Sequence, residues 1–438
     1  MIPVILDLVY LSIIIILSPI ILYRVVVLGK YWQSLSERLG KIAHAPSGEP
    51  CIWLHGVSVG EIKAARSLVA LLHQQLPQHK VVISATSAAG RKLAAEIYSN
   101  CRVIAFPLDF SWVVRRYLRY FHPELIILME LELWPNFLMT AARLDIPVIL
   151  VNGRLSAKSF RGYRYLRPLF VSLTRAIRLF AMQAELYAER LAGLGIAHDR
   201  IVVTGNMKFD TSASQKLLEK RPALCQALGI TESMKIWICG STHAPEEKIL
   251  LAVYRKILPS FPELRLLLVP RHPERAGTIA GWACDIGLTP VKKSAVLPNF
   301  TWSADQVMIG DRMGELADLY TISYIAFVGG SLIRHGGQNF IEPASLGKAV
   351  ICGPFMHNFP ELQIFLAQKS LIQLDSLEEL STVVTNLLAN PDRVRELGDK
   401  AQALVYQSRG CSERNLKLCL QAWTAARKPK PAEISNLQ

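Results

Sequence analysis

Twelve short apolar, β-branched runs alternate with helix-like stretches between residues 51 and 353, and few architectures accept that pattern. Seven lie in the first half: CIWLHG (51–56), KVVISAT (80–86), RVIAFP (102–107), ELIILME (124–130), PVILVN (147–152), LFAMQ (179–183) and RIVVTG (200–205). Five follow in the second: KIWICGST (235–242), LRLLLVP (264–270), VMIGD (307–311), YIAFVGG (324–330) and AVICG (349–353). Runs that are apolar throughout mark strands buried on both faces. Helices between them, such as 61–75 and 88–99, mark a parallel sheet covered on both sides. We expect an α/β chain of two Rossmann-like halves. With 51% hydrophobic and 19% charged residues, its 438 residues can fill two cores. Ligands in such sheets bind beyond the carboxyl ends of the strands, here in a cleft between the halves.

Residues 8–23 read LVYLSIIIILSPIILY without a charge, bounded by Asp7 and Arg24. With Arg24 snorkelling, residues 1–28 are long enough for a membrane anchor. Lys30, Arg38 and Lys41 follow, so the positive-inside rule places the body on the cytoplasmic side. An interfacial helix and a buried core helix are the other two readings. Residues 29–210 then form the first half, 211–234 a polar linker and 235–428 the second half with terminal helices. The tail 429–438 is expected to be disordered. Eight scattered cysteines without a CxxC pair read as buried free thiols of a reducing compartment.

Several strand ends carry residues capable of chemistry. In HGVSVGE (55–61), Ser58 and Glu61 fit a capping box; a carboxylate there also serves as a general base, which the helix N-terminus would keep ionised. MELELWPNF (129–137) sets Glu130 and Glu132 after an apolar strand. TGNMKFD (204–210) places Lys208 in a turn that is either catalytic or simply exposed. VPRHPER (269–275) projects Arg271 and His272 for phosphate contact or into a surface turn. In GDRMGEL (310–316), Asp311 is expected to cap a helix begun by Gly314 and Glu315. The glycine-bracketed VGGSLIRHGGQNFIEPA (328–344) leads Asn339 and Glu342 into a helix and allows close backbone approach to a nucleotide. Neither GxGxxG nor a P-loop occurs, so no nicotinamide cofactor or ATP is signalled.

The formal charge of +14 favours an anionic partner. Arg154, Lys158, Arg161, Arg164, Arg167, Arg175 and Arg178 form a run without an acid, interleaved with aromatics, and Arg115, Arg116 and Arg119 form a second cluster. Beside an apolar N-terminus, anionic lipid or acceptor phosphates fit better than nucleic acid, and a solvated face stays open. No DxD triplet occurs, which points to phosphate charge held by Arg, Lys and helix N-termini.

Nine segments, in this order, resemble the Kdo (3-deoxy-D-manno-octulosonic acid) transferases of lipopolysaccharide assembly. They are VSVGE, MELELWPN, NGRLSAKS, TGNMKFD, GSTH, VPRHPER, GDRMGEL, AFVGGSL and GGQNFIEPA. The resemblance implies a GT-B fold, an inverting mechanism without metal or cofactor, and an inner-membrane location facing the cytoplasm. It implies CMP-Kdo as donor and a lipid A precursor as acceptor, with one or several Kdo residues added. By motif, Glu61 matches the family's general base, and Glu130 and Lys208 match its transition-state stabilisers. Pro270 and Arg271, then Met313, Gly314 and Glu315, then Asn339, Phe340, Ile341 and Glu342 match its CMP-binding segments. Phe340, Ile341 and Pro343 stand where an N-P-L-E-A-like run is usual, which bears on pocket shape. The rivals are a GT-B transferase with another nucleotide sugar and a non-catalytic anionic-lipid-binding protein.

Overall fold

The computed structural model describes residues 2–26, 32–42, 50–211 and 215–427. Lys30 and the tail 429–438 lie outside them, as does part of the 211–234 linker. Two compact units emerge: residues 1–211 together with those from Gly410 on, and Ser212–Arg409.

The first unit holds a sheet of β1 (Cys51–Gly56), β2 (Lys80–Ala85), β3 (Arg102–Ala105), β4 (Pro123–Met129), β5 (Val148–Gly153), β6 (Ile177–Met182) and β7 (Ile201–Val203). Their order is β3-β2-β1-β4-β5-β6-β7, all parallel. Successive side chains of β1 enter opposite cores. Trp53 packs on one side against Phe121 and Phe137, while Ile52 and Leu54 join the other with Leu68 and Leu72. Each such large apolar side chain contributes roughly 1.5–3 kcal/mol by burial.

The second unit holds β8 (Lys235–Thr242), β9 (Leu264–Pro270), β10 (Thr289–Lys292), β11 (Gln306–Ile309), β12 (Ile325–Val328), β13 (Ala349–Cys352) and β14 (Ile372–Gln373). Their order is β10-β11-β9-β8-β12-β13-β14, again parallel. Helices cover both faces, so each unit is a doubly wound sheet. Strand order reverses between β1 and β4 in the first sheet and between β8 and β12 in the second. The carboxyl ends of those strand pairs are where such sheets open a crevice for ligands.

Two N- and C-terminal features differ from expectation. The helix Ile2–Val26 forms, but its first turns dock on the first unit. Asp7 accepts from the Ser111 backbone N–H at 2.8 Å, from the Ser111 hydroxyl, and from Asn136 Nδ2 at 3.0 Å. Tyr10 donates to Asp109 at 3.1 Å. Among the described residues no helix is long and apolar enough to cross a membrane. The single span expected from residues 8–23 is therefore not supported. Asp7, which bounds the uncharged stretch, is held by protein donors that satisfy its charge.

At the other end, helix Cys411–Arg427 packs into the first unit, burying Cys411, Leu416, Cys419 and Ala422 with the β1 side of the core. The terminal helices expected with 235–428 are thus divided between the units. Asp210 fixes the return: its carboxylate accepts from the backbone N–H groups of Gly410 (2.8 Å), Cys411 (3.3 Å) and Ser412, at the start of that helix. All eight cysteines are free, and five are buried.

Candidate active site

Glu61, Glu130 and Glu132 follow β1 and β4, the two strands at which the first sheet reverses. Glu61 enters a six-residue helix, Val59–Ala64, through a complete capping box. Its Oε2 accepts from the Val57 N–H at 2.8 Å. Its Oε1 accepts from the Ser58 N–H at 3.2 Å and the Ser58 hydroxyl at 2.7 Å, and the Glu61 N–H reaches back to Ser58 Oγ at 3.3 Å. Each carboxylate oxygen can accept more than one hydrogen. Gly56 lies so close that a Cβ there would sit 3.3 Å from Glu61 Cβ.

Glu130 takes a left-handed conformation, φ 57°, directly after β4. A non-glycine residue in that region is uncommon and marks sites where the surroundings impose a direction on a side chain. Its N–H still donates to Val151 at 2.9 Å, so the turn is pinned to the sheet.

The three carboxyls repel one another. Burial, then the charge of Glu130, pushes Glu61 above its ordinary value; its three hydrogen bonds oppose this without cancelling it. The helix N-terminus was expected to hold Glu61 ionised, but desolvation and a neighbouring carboxylate outweigh it. Burial, then Glu61 and Glu130, raises Glu132 to about 7. A carboxyl raised in the folded state favours folding at low pH, and that contribution is lost as pH rises through about 7. Glu132→Gln should therefore raise the melting temperature at pH 8 by about 2 °C and leave it unchanged at pH 5, where Glu132 is already protonated. An equal shift at both pH values would contradict charge repulsion as the cause.

Lys208 opens a one-turn helix, Lys208–Thr211, which packs against the Glu61 helix. Three side chains set this turn. Asn152, itself at φ 54°, accepts from the Met207 N–H at 3.0 Å; Asn206 accepts from the Lys208 N–H at 3.0 Å; Asp210 ties the turn to the terminal helix. Asn152 and Asp210 were not singled out from the sequence. NG and FD are common pairs, and only the fold brings residues 152, 207 and 410 together.

The second unit gathers its segments at the carboxyl edge of its sheet. Pro270 ends β9, and the exposed Arg271 donates its N–H to the Thr242 carbonyl at 2.9 Å, joining the ends of β8 and β9. After β11, Met313 is 64% exposed and Gly314 turns at φ 89°. Glu315 pairs with Lys293 at 3.0 Å and precedes the short helix Leu316–Tyr320. Asp311 does not cap that helix as expected: its carboxylate accepts from the Ser294 N–H and hydroxyl. After β12, Asn339 Oδ1 accepts from the Ile341 N–H at 3.2 Å, and Glu342 lies in the helix Ile341–Ser345. Phe340 and Ile341 are fully buried, Phe340 against Phe359 and Phe365, so they present only backbone to a ligand. One member of the basic run, Arg167, is committed internally, donating to the Leu194 carbonyl at 3.1 Å.

Known proteins give this arrangement its context. Residues 33–211 match the family model described as 3-deoxy-D-manno-octulosonic-acid transferase (kdotransferase). A 3-deoxy-D-manno-octulosonic acid transferase of Haemophilus influenzae is 34% identical over 418 residues, 93% of this chain and 97% of that protein. Another, from Bordetella pertussis, is 31% identical over 411 residues, covering 90% and 93%. Among solved structures, a glycosyltransferase from Rickettsia africae superposes with a TM-score of 0.59 at 13% identity, covering 88% of this chain and 100% of that one. A UDP-GlcNAc 2-epimerase from Neisseria meningitidis bound to UDP-GlcNAc gives 0.57 at 15% identity, covering 85% and 100%. These two likenesses show the fold, which is of the GT-B type. The sequence relatives carry the assignment: this chain belongs to the Kdo transferase family of glycosyltransferases.

Proposed function

We propose that the chain transfers Kdo from CMP-Kdo to a hydroxyl of a lipid A precursor by a single inverting displacement, adding one or more residues. The observation that carries this reading is the carboxylate cluster at the reversal point of the first sheet, with the Lys208 turn packed beside it. Glu61 takes the proton from the acceptor hydroxyl. That oxygen forms the new bond to the ketosidic carbon of Kdo, and the bond from that carbon to the phosphate oxygen breaks, its electron pair leaving with CMP. Glu130 opposes the positive charge that develops on the sugar, and Lys208 the negative charge nearby. Arg271 and the Met313–Glu315 turn hold the phosphate end of the nucleotide, and Asn339 to Glu342 the nucleoside.

The acceptor lipid has a fitting surface on the first unit. Val4, Ile5, Leu8, Ile15 and Ile16 of the N-terminal helix are exposed. The helix Ser111–Phe121, on which it docks, carries Arg115, Arg116 and Arg119 with the half-exposed Trp112. Apolar and basic residues so arranged suit acyl chains and anionic headgroups of a membrane surface. Nucleotide competition tests the donor assignment. CMP should inhibit donor consumption at concentrations at least about tenfold below UDP or GDP, a difference near 1.4 kcal/mol. Equal inhibition by UDP would overturn a cytidine-specific donor site.

A further inference from the structure

Three histidines that the proposed mechanism does not use meet at the reversal point of the second sheet. His243 directly follows β8, His272 lies two residues beyond β9, and His335 stands in the loop after β12. The His243 ring centroid is 4.2 Å from that of His335 and 5.8 Å from that of His272. Gln338 Nε2 lies 3.2 Å from His243 Nε2.

The loops are built to hold this arrangement. The buried Glu246 carboxylate accepts from the N–H groups of His243 (2.9 Å), Gly330 (2.7 Å), Ser331 (2.9 Å) and Leu332 (2.9 Å), binding the β8 loop to the β12 loop. Gly330, Gly336 and Gly337 all have positive φ. A Cβ at Gly330 would lie 3.3 Å from His335 and 3.5 Å from His243, and one at Gly336 would strike Asn358 at 2.3 Å. Glycine is thus required for the loop to fold back over His243.

The charges around the rings leave room for an anion. Glu246 is occupied by backbone donors, and Glu247 is paired with Arg275 at 2.6 Å. Glu274 lies 3.5 Å from His272. Arg271 adjoins the cluster in sequence from β9, Arg334 from β12, and His357 lies beside Gly336. Burial, then His335 and His272, depresses His243 to about 4, with Arg271 adding to the effect and Glu247 opposing it. His243 is therefore neutral near pH 7. Among the described residues no group of three or more His, Cys, Asp or Glu is placed to hold a metal ion. What stabilises an added proton on such a cluster is an anion bound against it.

We propose that His243, His272 and His335 join Arg271 and the Met313–Glu315 turn in holding the donor's phosphate, and that binding of the phosphate draws a proton from solvent onto the cluster. This rests on the reading that the second unit holds the CMP donor. Protonation turns His243 Nε2 from acceptor to donor, and a flip of the Gln338 amide accommodates the change. Proton uptake on binding means that CMP binds more tightly as pH falls from 8 to 7, where the second phosphate ionisation of CMP, at about 6, contributes little.

The test is isothermal titration of the full chain with CMP and with cytidine at pH 7.5, each in two buffers of different ionisation enthalpy. CMP should bind with uptake of a fraction of a proton and cytidine with none. His243→Gln, which keeps a hydrogen-bonding side chain but cannot titrate, should lose the uptake and bind CMP about tenfold more weakly. Cytidine affinity should stay unchanged, which shows that the variant is folded at the site. His335→Gln should act in the same direction. CMP binding without proton uptake, or uptake undiminished in His243→Gln, would overturn the phosphate subsite and leave the donor site intact. No CMP binding by the unaltered chain would overturn both.

Discussion

Glu61→Gln should lower Kdo transfer by about 10²–10⁴-fold, the usual contribution of a positioned general base, while CMP binding stays as it was. The difficulty with this residue is that it has two jobs. Its carboxylate closes a capping box with Val57 and Ser58, so any substitution also weakens a helix start. Ser58→Ala separates the two. It removes the hydroxyl that bonds Glu61 Oε1 at 2.7 Å and costs about 1 kcal/mol of stability, but leaves the base in place. Transfer by Ser58→Ala should fall by less than about tenfold. If the two variants lost activity equally, Glu61 would be a cap and not a base. Quantifying Kdo-modified lipid alongside CMP titration and thermal melting distinguishes these outcomes.

Lys208→Met should lower turnover by about 10²–10³-fold, the scale seen when one preorganised charge is removed from a transition state. CMP affinity should not change if Lys208 acts in the transition state alone, as proposed. The backbone of its turn is held by Asn152, Asn206 and Asp210, so the variant should fold. An unchanged turnover number and KM would remove Lys208 from the reaction; a rise in KM alone would make it a binding residue.

The strands were legible because parallel strands buried on both faces are written as continuous apolar runs. CIWLHG and KIWICGST coincide with β1 and β8. Two strands escaped. β10 is a half-exposed edge strand containing Pro290, and β14 has only two residues, too few to show a pattern. The capping box was readable from Ser58 and Glu61 because it is local. The Asp311 cap was not, because Ser294, seventeen residues back, competes for the same carboxylate. The N-terminal helix misled for a related reason. Apolar composition is legible, but Asp7 finds its partners at Ser111 and Asn136, more than a hundred residues away.

The candidate site divides along the same line. Glu61, Glu130 and Lys208 were proposed from motif. The mutual charge repulsion of Glu61, Glu130 and Glu132, the strained backbone of Glu130 and the Asn152 brace are properties of the assembled sheet. The histidines at 243, 272 and 335 are spread over 93 residues, and only the strand order β9-β8-β12 brings them side by side.

The most direct test of Kdo transfer is mass spectrometry of the lipid after incubating the full chain with CMP-Kdo and a lipid A precursor. The account predicts lipid heavier by whole Kdo units, with one CMP released for each. CMP-Kdo consumed with no gain in lipid mass, or an unchanged donor and acceptor, would contradict it.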